Sequence, residues 1–354
     1  MNITKLCSVT MLLASTALAG CSSTGSSGTG GTGGGTDGGT GGGTGGGTGG
    51  GLTNNLYTAS YATGSKNSMA TAFAAAGDKL ESGTGAVRRT FGNPDDTHSL
   101  DQPTKVTVTK TANGYDLAYG EASFSFTDSD LVDGYYEKET ANSSASLFAL
   151  EGDTDVALSS PRAMVPLGFG AALDGDDAAG TDDATSQLAG YTVVGLETNP
   201  DDMPNSGTAT YTGKGRFDFY NKSFEAGSED VRRIRYGGNS SITADFDAAT
   251  VNGQVDVTSR VVRLGDGTNT ADDISAKGAS VGFESNIVEN GFVIDEMLGN
   301  AALEAELADV GIGEVEAGGE GRFYGENAES VGAVISGESE TAAMTGIIYG
   351  DEVK

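Results

Sequence analysis

The sequence predicts an all-β chain: an eight-stranded antiparallel barrel over residues 190–354, preceded by a small β-rich domain over residues 52–189. Three observations carry this expectation. Glycine supplies 57 of the 354 residues, and between the glycines lie many short runs in which Thr and Ser alternate with apolar residues, the period-2 pattern of strands. Two distant stretches share a glycine-punctuated strand, GKGRF at Gly213 to Phe217 and GEGRF at Gly319 to Phe323. The only cysteines, Cys7 and Cys21, precede the folded part, so packing and sheet pairing must hold it together without disulfides or thiolate metal sites.

Taken in order, residues 1–20 read as an export signal, with Lys5 as the positive end, an apolar core from Cys7 to Leu18 and small residues after it. The run is too short for a membrane-spanning helix. Its end, Leu18-Ala19-Gly20-Cys21, resembles a bacterial lipobox, which implies acylation of Cys21 as the new N-terminus; the alternative is ordinary cleavage with Cys21 incidental. Ser22, in place of an inner-membrane retention aspartate, fits sorting to the outer membrane. Several acyl chains on one residue give lasting attachment, where a single chain anchors only marginally. Ser22 to Gly51 is nearly pure Gly, Thr and Ser, with no apolar side chains to bury, and is expected to be a flexible tether. Its ends would lie on the order of 30 Å apart as a random coil, and about 100 Å apart when stretched.

In the β-rich domain, Asn67 to Leu80 is expected to form a short helix, with Met69, Phe73 and Ala76 on one face. Val106 to Gly120 reads as two strands around Asn113-Gly114, a strong hairpin signal. Ala122 to Thr127 and Ser144 to Leu150 read as strands, and the acidic run Leu173 to Gln187 as the linker to the barrel.

The barrel reading starts at Tyr191 to Glu197. On the next strand Gly207, Ala209, Tyr211, Gly213, Gly215 and Phe217 share one face and Thr208, Thr210, Thr212, Lys214 and Arg216 the other, small inside and wettable outside. Further strands are Val231 to Tyr236, Ile242 to Phe246, Val251 to Leu264, Ala279 to Asn286 and Gly291 to Glu296. Asn300 to Val310 has helical composition. Near the end Gly319, Gly321, Phe323 and Gly325 face one way and Glu320, Arg322 and Tyr324 the other, followed by a turn and a strand with Val331, Ala333 and Ile335 on one face. Inward glycines at this density imply close backbone approach, as at a barrel wall. About eight strands is the smallest number that closes round a filled interior.

These stretches resemble the β-barrel domain of transferrin-binding protein B-like surface lipoproteins, which carry a G-x-A-x-Y-x-G strand and a G-x-F-Y-G-x-x-A-E-x-x-G-G-x-x-x-G hairpin. Gly207, Ala209, Tyr211 and Gly213 match the first; Gly321, Phe323, Tyr324, Gly325, Ala328, Glu329, Gly332 and Gly337 match the second. Ala333 stands where a second glycine is usual, and Glu326 where proline is common. By order along the chain, the preceding β-rich domain is similar to the family's handle.

Fifty acidic against twenty basic residues give a net charge of −30, a field that repels phosphate backbones and excludes nucleic-acid binding. The sole histidine, His98, excludes multi-histidine metal sites, and because it lies in the loop-like NPDDTHSLDQP no Ser-His-Asp triad is expected; no phosphate-binding glycine loop is present, so neither an enzyme nor a cofactor is expected. The acidic run beginning at Asp174 departs from a calcium loop at Ala179 and Thr185, and the loop Gly265 to Ser275 is read the same way, so no metal site is expected. The one candidate ligand site is VRRIRY, where Arg232, Arg233, Arg235 and Tyr236 concentrate guanidinium groups suited to a carboxylate. The plainer reading is a strand whose arginines pair with neighbouring acids. Resemblance, lipobox and tether together imply an outer-membrane, surface-exposed lipoprotein. It would bind a solute or protein partner for iron- or haem-type nutrient uptake, beside an outer-membrane receptor or lipoprotein-export barrel. The alternative is a structural, adhesive or protective surface protein with no small-molecule ligand.

Overall fold

The computed structural model describes residues 67–78, 86–89, 106–119, 122–132, 135–139, 143–150, 163–174, 184–221 and 229–354. The signal segment, Cys21, the tether, His98 and the centre of the acidic run lie outside the described residues.

Ten strands make up the N-terminal half: β1 Asn67–Asp78, β2 Ala86–Arg89, β3 Val106–Thr111, β4 Gly114–Tyr119, β5 Ala122–Thr127, β6 Leu131–Val132, β7 Tyr135–Glu139, β8 Ser143–Ala149, β9 Met164–Asp174 and β10 Ala184–Gly195. Seven of them form one antiparallel sheet in the order β2-β1-β10-β9-β8-β7-β6, while β3-β4-β5 form a small meander. The expected hairpin forms, but Thr111 pairs with Gly114, so its two-residue loop is Ala112-Asn113, one position earlier than read, and Gly114 opens β4. Inward residues of the meander, among them Val108, Tyr115, Leu117 and Phe126, pack on Tyr136, Leu147, Leu167 and Phe169 of the larger sheet.

Then follow β11 Thr208–Asn221, β12 Val231–Asp245, β13 Thr250–Leu264, β14 Asn269–Asp273, β15 Ser280–Val288, β16 Gly291–Ile294, β17 Leu298–Gly299, helix α1 Ala301–Asp309, β18 Glu316–Tyr324, β19 Ser330–Glu338 and β20 Ala342–Glu352. Their ladder runs β13-β12-β11-β20-β19-β18-β16-β15, and β15 pairs back onto β13, closing an eight-stranded antiparallel barrel. Closure leaves these strands no free edge. Helix α1 falls within Asn300 to Val310, as its composition predicts, and the Asn300 side chain caps it by accepting from the Leu303 N–H at 3.0 Å.

The structure corrects several readings. Asn67–Asp78 is a strand and not a helix: Met69 turns towards the barrel, Ala70 towards the meander, and the Thr71 hydroxyl donates to the Ile335 carbonyl at 2.7 Å. Pairing with β10 on one side and β2 on the other overrides the helix preference of its alanines. Tyr191 to Gly195 belongs to β10 of the seven-stranded sheet, and the acidic run connects the adjacent strands β9 and β10. The two strands read on either side of Gly237-Gly238 are the single strand β12, whose register shifts at those glycines. That bulge bends the strand around the barrel without ending it. The last strand, β20, which pairs with β11 and β19, is the member the sequence reading lacks.

The inner face of β11 carries Ala209, Tyr211, Phe217 and Phe219, and that of β18 and β19 carries Phe323, Val331, Ala333 and Ile335, all in one buried cluster. A Cβ on Gly321 would lie 2.1 Å from the Phe292 ring, so the glycine makes room for that ring inside the wall. The same test at Gly213 gives 2.2 Å to the Tyr349 carbonyl of the neighbouring strand. Outside, Tyr324, Val334, Ile347 and Tyr349 pack against Met69, Met164, Tyr191 and Val193, seating the seven-stranded sheet on the barrel wall.

Candidate functional site

The VRRIRY segment opens β12, and strand alternation sends its residues to different places. Arg233 and Arg235 lie on the outer face with Asp218 of β11, which is opposite Arg235 in the ladder. Arg235 grips the carboxylate through two hydrogen bonds, Nε to Oδ1 at 2.8 Å and Nη2 to Oδ2 at 3.1 Å. The Tyr191 hydroxyl of β10 donates to the same carboxylate. Asp218 is 2% exposed. Burial works against its ionised form, but the Arg235 charge and hydrogen bonds, with Arg233 and Tyr191 behind them, hold its pKa below the ordinary value. Burial, with the Asp218 charge adding to it, pushes the Tyr191 hydroxyl well up, so it stays a donor. This trio is a buried rivet between β10 and the barrel wall.

Arg233 Nε stands 3.9 Å from Asp218, with the guanidinium 6.0 Å from the centre of the Tyr220 ring. Burial and then the charges of Arg263 and Arg233 lower the pKa of Arg232. Tyr236 does not join the arginines. It is fully buried inside the barrel, edge-on to Phe219 at 5.8 Å, and burial pushes its hydroxyl up to about 12 against the opposing charge of Arg260. The structure therefore commits Arg235 to an acid of its own chain and separates Tyr236 from all three arginines.

Tyr236 leads instead to a feature that sequence reasoning missed. One end of the barrel holds a solvent-open cavity of about 1000 Å³, lined by Phe217, Phe219, Tyr236 and Met344 from the strands and by Leu303 and Leu307 from α1. An ionic knot around the buried Glu306 pins α1 there: Glu306 accepts from Arg260 Nη1 at 3.0 Å and from the exposed Lys277 Nζ at 2.5 Å, and Arg260 also reaches the exposed Asp272 at 2.8 Å. The signal available was the helical composition of Asn300 to Val310 between strands, which places a helix but not the space beneath it. In the loop Gly265 to Ser275, Asp266 accepts from Thr268, Asp273 from the Ser275 N–H, and Asp272 from Arg260. Among the described residues no group of three or more His, Cys, Asp or Glu is placed to hold a metal ion, and no helix is long and apolar enough to cross a membrane.

Residues 203–351 match the family model described as the C-lobe and N-lobe beta barrels of Tf-binding protein B. A search of curated proteins gave no match. Among solved structures, the isotype 1 transferrin binding protein B of serogroup B Neisseria meningitidis aligns over 81% of this chain and 44% of its own, at 14% identity and a TM-score of 0.41. A double mutant of transferrin binding protein B from Haemophilus parasuis Hp5 aligns over 80% and 45%, at 15% identity and a TM-score of 0.41. The N-lobe domain of lactoferrin binding protein B of Moraxella bovis aligns over 80% of this chain and 99% of its own, at 13% identity and a TM-score of 0.34. The chain thus spans less than half the length of the two transferrin binding proteins.

Proposed function

With residues 203–351 a β-barrel of the transferrin-binding protein B family, we propose that this chain is a lipid-anchored surface protein of the outer membrane that captures an iron-carrying protein or an iron-type solute for uptake. The family match carries the reading, supported by the placement of both motif stretches in one closed barrel wall, with only β20 between β11 and the β18-β19 hairpin. Acylated Cys21 would hold the anchor, residues 22–51 would carry the folded part clear of the lipid surface, and an outer-membrane receptor would take over the cargo. Arg232 and Arg233 at the start of β12, with Tyr220 of β11 opposite Arg233, are the part of the cluster not locked to Asp218 by a two-pronged hydrogen bond. The partner's contact residues are expected on such loops and strand ends, which vary while the wall stays fixed.

Two measurements on the native cells test the reading. Cys21→Ala is expected to abolish incorporation of labelled palmitate and release the protein from the membrane fraction. Added protease is expected to cleave the wild-type protein on intact cells. The purified chain is expected to bind transferrin or lactoferrin, iron-loaded or iron-free, in a saturable way. Labelling, shaving and no binding of either carrier would leave the structural or adhesive reading, which the self-filled aromatic end of the barrel favours.

A further inference from the structure

The cavity beneath α1 combines two properties that arise independently. Its walls are apolar and aromatic, from Phe217, Phe219, Tyr236, Met344, Leu303 and Leu307. Its mouth is lined by the exposed acids Asp295, Glu296, Glu304, Glu314, Glu316 and Glu338, with no Lys or Arg lining it among the described residues, and the first five of these acids form no ion pair there. Elsewhere the acids of this barrel are neutralised where they meet arginine or lysine, as Asp218, Glu306 and Glu320 are. Inside, Tyr236 lines the cavity with its ring, and its buried hydroxyl has no hydrogen-bond partner among the described residues. A volume of about 1000 Å³ is the size of a small-molecule site.

The geometry points to a binding site for an amphipathic organic cation, its apolar body against the aromatic wall and α1 and its charged head at the carboxylate mouth. Aromatic faces attract a cation that approaches them, and the unpaired carboxylates hold it at the opening. An anionic amphiphile of the same length meets these like charges and is rejected. This site goes beyond the capture of an iron carrier and does not depend on it, since no residue of the arginine cluster takes part.

The test uses the full chain carrying Cys21→Ser, which keeps acyl chains away from the site, titrated calorimetrically with decyltrimethylammonium below its micelle concentration. One probe molecule per chain is expected to bind, and decyl sulfate is expected not to bind. Neutralising the mouth with Glu304→Gln, Glu314→Gln and Glu316→Gln is expected to weaken binding about tenfold. The matched control, Asp201→Asn, Glu284→Gln and Glu289→Gln, removes the same charge from exposed positions away from the mouth and is expected to change binding less than about twofold. Leu307→Trp fills the space and is expected to abolish binding. Should that variant fail to fold, the mouth and control sets decide, since all six of their positions are exposed. Absence of one-to-one binding, equal binding of decyl sulfate, or equal loss in the control set would overturn the assignment.

Discussion

The same eight strands build both ends of the barrel, and the ends are filled in opposite ways. At one end four rings lock around Phe323: Tyr211 at 6.0 Å, Phe246 at 5.9 Å and Phe292 at 5.8 Å, with Phe283 stacked on Phe292 at 5.7 Å. The other end has Phe217, Phe219, Tyr236 and Met344, facing a helix across open space. Motif residues Tyr211, Gly321 and Phe323 all serve the filled end. In this chain the motif residues therefore build a plug and a closed wall, and the opposite end is shaped by residues outside the motif.

Substitutions should separate the two ends by size of effect. Phe323→Ala removes the ring at the centre of the plug and is expected to cost about 4 kcal/mol in denaturant unfolding. Asp218→Ala, on the wall between β10 and β11, strands Arg235 and the Tyr191 hydroxyl and is expected to cost about 3 kcal/mol. Because the Asp218 pKa is lowered in the folded chain, its contribution is present above the unfolded carboxylate value of about 4 and is lost as the pH falls through the lowered native value. The variant's stability deficit should therefore shrink in acid; a deficit that stays constant down to the acid limit would contradict the rivet. Gly321→Ala pushes a methyl into the Phe292 ring and is expected to cost about 2 kcal/mol. At the open end Met344→Ala is expected to cost about 1 to 2 kcal/mol, at or below the usual range for such truncations, because its neighbours on one side are already missing. Glu306→Gln should be the mildest globally. It weakens the knot with Arg260 and Lys277, and amide exchange is expected to rise across α1 while the unfolding midpoint moves little. A larger loss for Met344→Ala than for Phe323→Ala would reverse the comparison.

Legibility in the sequence followed the same division. Strand faces at Gly207 to Phe217 and Gly319 to Gly325 could be read because side chains alternate wherever one face is buried and the other wet. The expectation of about eight strands agrees with the structure although the members differ: Tyr191 to Gly195 belongs to the other sheet, the segments on either side of Gly237-Gly238 are one strand, and β20 is a strand that the pattern does not announce. Ala342–Glu352 is buried on both faces from Ala342 to Gly350, so it lacks the polar alternation that marks a half-exposed strand. The helix expected at Asn67 to Leu80 failed for a related reason: Met69, Phe73 and Ala76 satisfy helical spacing, and only the two partner strands decide otherwise. For VRRIRY, charge type was legible, but the partner was not. Asp218 sits within RFDFYN, and nothing local announces that it and Arg235 meet across a ladder beneath Tyr191. A cavity depends on what does not touch, which no local pattern encodes.

Capture at the cell surface is tested most directly by native mass spectrometry of the mature protein isolated from its own outer membranes. The account predicts a reproducible extra mass bound one to one, either a solute or an iron-carrying protein, on a chain whose N-terminus bears acyl groups at Cys21. An unacylated chain of bare mass, with no carrier or solute bound after growth in a medium that contains them, would contradict it.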